Sequence, residues 1–137
     1  MTDRSEPDFN WPVRVYYHDT DAGGVVYHAS YLNFMERART EWLRSYGYTN
    51  PELLKAYNVV FVVRSVQMDF LRPALLDDLL DVTLQIKEIG RSRLILRQTV
   101  LRGAELLNEA EVHLVCVSME NFKPVSVPET LRTQWKI

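Results

Sequence analysis

A single change of period restricts this chain's fold more than anything else in the sequence. Over residues 30–46 the apolar side chains recur at three- and four-residue steps: Tyr31, Met35, Ala38 and Trp42, flanked by Phe34 and Leu43. The other side carries Glu36, Arg37, Thr40, Glu41 and Arg44, which suits solvent and i,i+3 or i,i+4 charge pairing. From Val59 onward the period is two. Val62, Val66, Met68 and Phe70 fall on one side of a strand that Pro73 ends. Further strands are expected over residues 80–87, 93–102 and 106–118, the last aligning Ala110, Val112, Leu114 and Cys116. Turns fall at Gly90-Arg91-Ser92 and around Gly103.

The rest of the chain fits around that change. Residues 1–10 are polar and expected to be loose. A first strand is expected over 13–18, with Val13, Val15 and Tyr17 alternating against Arg14, Tyr16 and His18. Gly47 stops the long helix, and short helical turns are expected at 53–57 and 128–135. One helix followed by four closely connected strands predicts an α+β fold with a mainly antiparallel, five-stranded sheet. One helix covers only one face of such a sheet. The sheet must therefore curve around it, or bury its other face on a partner chain.

At 137 residues the chain is expected to be one domain, 1–137. Its formal net charge of −2 gives no electrostatic footprint for nucleic acid. Its one cysteine, Cys116, rules out an intrachain disulfide and fits a reducing compartment. No basic, then apolar leader opens the sequence, and no apolar run nears the ~18 residues of a membrane span. A cytoplasmic protein without a membrane span is expected.

The chemistry concentrates in Tyr16–Tyr31, YYHDTDAGGVVYHASY. Polar residues sit here where a strand, a Gly-rich turn and a helix start meet. The first turn of a helix leaves N–H groups unpaired and carries positive partial charge. Such groups can stabilise an oxyanion on an attacked carbonyl. A carboxylate on the preceding loop can act on that carbonyl, as nucleophile or as base toward water. Gly23 and Gly24 allow close backbone approach. Taken alone, the same residues also suit turn geometry and helix capping.

The run VRVYYHDTDAGGVVYHASYLNFMERARTEWLR closely resembles the signature of the 4-hydroxybenzoyl-CoA thioesterase group of hot-dog proteins, in its Tol-Pal-associated acyl-CoA thioesterase branch. The resemblance continues through VVFVVRSVQMDFLRPALLDDLLDV and LLNEAEVHLVCV and covers about residues 11–118. It implies a long helix wrapped by a curved antiparallel sheet, hydrolysis of acyl-CoA, no metal or other cofactor, and a homotetramer built from dimers. It assigns the catalytic carboxylate to Asp21, an oxyanion-binding N–H to His28, and a place near the site to Tyr17. Gly24 and Val25 are expected to line the substrate. Arg91 and Arg93 are expected to hold CoA phosphates, from a neighbouring subunit. Acyl carrier protein is an alternative carrier of the acyl group. Many relatives have Glu where this chain has His18, and strand alternation turns His18 away from Tyr17.

Other residues have plainer readings. Asp19 suits an Asx turn or cap. Arg64 and Asn108 interrupt apolar strand faces and need partners. Cys116 reads as core. His18, Asp19, Asp21 and His28 follow no metal-ligand template, and no Gly-x-Ser-x-Gly elbow is present. Two rivals to hydrolysis remain, a hydroxyacyl-thioester dehydratase and a non-catalytic acyl-binding or envelope scaffold.

Overall fold

The long periodic segment is a helix, α1 (His28–Ser45), which buries Tyr31, Phe34, Met35, Ala38, Trp42 and Leu43. In the computed structural model, residues 6–135 are described. The strands are β1 (Phe9–Arg14), β2 (Val59–Phe70), β3 (Leu79–Ile89), β4 (Arg93–Arg102) and β5 (Glu105–Ser118). They form one sheet in the order β1-β3-β4-β5-β2, with every neighbouring pair antiparallel. Two short helices, α2 (Asn50–Tyr57) and α3 (Glu129–Trp135), complete the fold. The α1 stripe and the alternate residues Leu80, Val82, Leu84, Leu94, Leu96 and Val112 share one apolar core. A helix wrapped by a curved antiparallel sheet is the hot-dog arrangement. Helix stops and starts follow local chemistry. Gly47, at φ +89°, ends α1 and donates to the Arg44 carbonyl. Thr49 and Glu52 cap α2 reciprocally.

Two expectations are corrected. β1 lies at Phe9–Arg14, not at 13–18, so Phe9 and Asn10 are not loose; residues 1–5 lie outside the described residues. Asp8 anchors this stretch: its N–H donates to the Leu84 carbonyl, and its carboxylate accepts the Ile86 N–H at 2.7 Å. Pro12 is tolerated because β1 is an edge strand. Beyond Val15 the backbone leaves the ladder, because the Asp19 carboxylate takes the Tyr16 N–H at 2.9 Å and closes a 3₁₀ turn over Tyr17–Asp19.

β2 also departs from the expected single face. Its register against β5 shifts between Val63 and Ser65, leaving Arg64 as the extra residue of a bulge. Before the bulge Phe61 and Val63 oppose the inward Cys116 and Leu114; after it Val66, Met68 and Phe70 oppose Val112, Ala110 and Asn108. Val62 therefore faces the other way from Val66. Arg64 is exposed rather than paired within an apolar face. Asn108 is buried, and neither amide atom finds a partner among the described residues.

Candidate functional site

The loop between β1 and α1 is built by two aspartates with opposite tasks. Asp19 is 4% exposed and spends itself on structure. Its carboxylate holds the Tyr16 N–H and lies 3.4 Å from the exposed His18 ring. Its backbone carbonyl accepts the Tyr27 N–H at 2.9 Å and the Ser30 hydroxyl at 3.1 Å, which seats the start of α1 on the loop. Asp21 is exposed. It opens a tight turn in which the Gly24 N–H donates to its carbonyl and its own N–H donates to the Val25 carbonyl. Gly24 has φ +79°, the left-handed conformation such a turn needs, which favours glycine. The Gly23 N–H donates to Asp21 Oδ1 at 2.8 Å, orienting the carboxylate, and no described group takes Oδ2.

α1 begins directly after this turn. Tyr27 stands at its N-cap without a capping side chain, and the first turn contains no acidic residue. The Ser30 N–H turns back to the Tyr27 carbonyl, while those of His28 and Ala29 meet no acceptor among the described residues. The open end of the helix is thus left available to a ligand oxygen.

Beside it lies a cavity of about 220 Å³ walled by Val25, Val26, His28, Tyr31 and the segment Phe70–Pro73. The His28 ring packs on Phe70, with centroids 4.7 Å apart, and stacks on Tyr27. The Ala74 N–H donates to the Tyr31 hydroxyl at 3.1 Å, and burial pushes that phenol above its ordinary range. The wall is fixed to the loop by a bridge between Val25 and Leu75 and by the Val26 N–H donating to Ala74. Arg102 clamps it from behind, reaching Asp78 at 2.7 Å, whose carboxylate in turn accepts the Leu75 N–H.

Of the residues singled out from sequence, Asp21, Gly24, Val25 and His28 come together in this turn and helix start. Tyr17 does not join them: its side chain is 82% exposed and lies outside the cavity wall. Arg91 and Arg93 sit at the β3–β4 turn, at the far end of β3 from the site loop. The 11 residues of β3 put them roughly 30 Å away within one chain, at 3.3 Å per residue. Arg93 bonds Glu88 at 2.6 Å, and Arg91 is exposed. Tyr31 and the Phe70–Pro73 wall were missed in the sequence, where Tyr31 and Phe70 read as ordinary members of apolar faces.

A family model described as the thioesterase-like superfamily matches residues 15–135. The chain belongs to the thioesterase-like superfamily. This thioesterase-like chain is 46% identical over 129 residues to the acyl-CoA thioester hydrolase YbgC of Escherichia coli, covering 93% of the chain and 96% of that protein. It is 44% identical over 124 residues to the acyl-CoA thioesterase YbgC of Haemophilus influenzae, covering 90% and 91%. Among solved structures it resembles a probable thioesterase from Bartonella henselae, with TM-score 0.83, 38% identity, and coverage of 87% and 98%. It also resembles the 1,4-dihydroxy-2-naphthoyl-CoA thioesterase Slr0204 from Synechocystis, with TM-score 0.84, 28% identity, and coverage of 91% and 93%.

Cys116 is buried, and burial pushes its thiol up to about 11. The thiolate is the reactive form. Native protein should therefore give no signal with a thiol-trapping reagent until denaturant is added, when one equivalent should appear.

Proposed function

We propose that the chain hydrolyses acyl-CoA thioesters to a free acid and CoA. The observation that carries the reading is a juxtaposition: Asp21, oriented by the Gly23 N–H, directly precedes a helix start whose first two N–H groups are open, beside an apolar-walled cavity. The names of the YbgC relatives point to the same substrate class.

The thioester carbonyl oxygen sits at the N-terminus of α1, facing the N–H groups of His28 and Ala29. Asp21 Oδ2 either removes a proton from the attacking water or adds to the carbonyl carbon, giving a mixed anhydride that water then opens. In both routes the C–S bond breaks, the sulfur leaves as thiolate and takes up a proton, and the acyl carbon gains a water oxygen. The helix N–H groups hold the tetrahedral oxyanion. The acyl group enters the cavity walled by Val25, His28, Tyr31 and the Phe70–Pro73 segment. CoA arrives as part of the substrate, and the reading needs no metal: Asp19 is turned inward to backbone, and the His28 ring packs against Phe70. Acyl carrier protein stands as the alternative acyl carrier, and the cytoplasm as the compartment. No helix among the described residues is long and apolar enough to cross a membrane.

The working form is a homotetramer, a dimer of dimers, with the site shared between chains. β2 is an edge strand of 12 residues, and Val62, Val63 and Phe70 on it are exposed. Such an edge calls for cover, and two-fold pairing is the commonest. A separation of roughly 30 Å within the chain leaves Arg91 and Arg93 to serve a neighbour's site. The double variant Arg91→Ala, Arg93→Ala should raise KM for acyl-CoA about tenfold with kcat nearly unchanged, because phosphate anchoring is shared by ground and transition states. An active monomer in light scattering would refute the shared site. Thiol release from acyl-CoA tests the function itself, since a dehydratase would form enoyl thioester without thiol and a scaffold would form neither.

A further inference from the structure

Beyond the cavity at the helix start, the seam between α1 and β2 contains two further cavities, which share no lining residue with the first. The two elements run in opposite directions. His28 meets Phe70 at one end, and at the other Phe61 lies 6.2 Å from Trp135, which stacks on Trp42 at 4.7 Å. Between these ends lie two cavities of about 310 Å³ and 160 Å³ that share Glu36, Arg39 and Val63 in their walls. The rest of the lining is mainly apolar, with Met35, Val66 and Val112 in the first and Leu43, Phe61 and Leu114 in the second.

Arg39 is out of keeping with those walls. Its Nη1 donates to Gln98 Oε1 at 2.9 Å. Gln98 is fully buried, and its Nε2 donates to the Met35 carbonyl at 3.1 Å, so the amide is fixed with its oxygen toward the guanidinium. A guanidinium has five N–H donors. No other hydrogen bond and no ion pair engages Arg39 among the described residues. Glu36, one turn earlier, accepts the Thr40 hydroxyl at 3.2 Å instead. Burial holds Arg39 below the ordinary arginine range, with Glu36 opposing it. The remaining donors of this half-buried guanidinium are not buried, and they can exchange water for an anion that enters the seam, in charge-assisted hydrogen bonds.

We propose that Arg39 selects acyl groups that end in a carboxylate, so that CoA monothioesters of dicarboxylic acids are the favoured substrates, their far carboxylate bound by Arg39 in the α1–β2 seam. The proposal rests on the thioesterase reading above and names its substrate class. Length follows from helix geometry. Arg39 stands eleven residues after His28, about 16 Å along the axis, and helical side chains lean back toward the N-terminus. The guanidinium is therefore roughly 10–16 Å from the open N–H groups. A medium-length diacid spans that gap, and malonyl or succinyl groups fall short.

The test compares adipoyl-, suberoyl-, sebacoyl- and dodecanedioyl-CoA, each against the plain acyl-CoA of equal carbon number. The wild type should favour the diacid ester at one of the two middle lengths by about 10- to 100-fold in kcat/KM, mainly through KM, as expected for a charge-assisted hydrogen bond. Arg39→Met should reverse that ratio, and Arg39→Lys should keep part of it. Binding of non-hydrolysable ketone analogues of the same pairs, read by calorimetry, reports the same preference without turnover. If no ester releases thiol, the thioesterase reading fails while the analogues still decide on Arg39. Equal binding of the paired analogues, or a preference that survives Arg39→Met, overturns the proposal. So does a change of oligomeric state in Arg39→Met without change of preference, which would assign the cation to a carboxylate of a second copy.

Discussion

Asp21→Asn should lower the turnover number for acyl-CoA by about 10² to 10⁴, the usual loss for a positioned acid–base or nucleophilic group. The substitution is close to isosteric. An asparagine side-chain oxygen can still accept the Gly23 N–H that now reaches Asp21 Oδ1 at 2.8 Å. The Gly24 and Val25 backbone bonds of the turn do not involve the side chain. Stability should therefore shift by no more than about 0.5 kcal/mol, as at exposed sites generally. Asp19→Ala, which removes the buried acceptor of the Tyr16 N–H outright, is the control from the same loop. Its carboxylate is buried on the Tyr16 N–H, so the loss there should appear in the melting curve before it appears in the chemistry. Rates and melting temperatures measured on the two variants separate the roles. Wild-type turnover in folded Asp21→Asn would remove Asp21 from the mechanism.

His28→Pro should cost about 10² to 10³ in kcat, and His28→Ala far less. The comparison isolates one backbone hydrogen. His28 is the first residue of α1 and its N–H has no acceptor among the described residues. Proline is tolerated at that position because its fixed φ suits the helix and the missing N–H would be unpaired anyway. Tyr27, at φ −68° and ψ 145°, already has the extended backbone that a following proline demands. Proline thus removes a donor from the transition state with little strain, which is the expected magnitude for one oxyanion donor. Alanine removes only the ring and its packing on Phe70. Equal activities for the two variants would show that this N–H does no chemistry.

How much of this was legible beforehand depends on how local each feature is. The Asp21 turn could be read because Asp and Gly fix turn geometry within five residues, and α1 because its stripe repeats over eighteen residues. The strand order follows from neither. β1 misled because Val13, Val15 and Tyr17 alternate like a strand, whereas Asp19 captures the Tyr16 N–H and bends the chain away. The β2 bulge was hidden because both Val62 and Val63 fit an apolar face, and only pairing with β5 decides which one turns inward. The cavity wall was invisible for the same reason: Phe70 meets His28 across forty-two residues of chain. Asn108 was expected to find a polar partner. Its amide is buried without one among the described residues.

The products formed from acyl-CoA by the purified chain decide whether it is a thioester hydrolase. With excess medium-chain acyl-CoA, free CoA thiol and free carboxylic acid should appear in equal amounts, well above a blank and abolished with Asp21→Asn. Enoyl-CoA in place of thiol, or no turnover of acyl-CoA by folded protein, would contradict thioester hydrolysis.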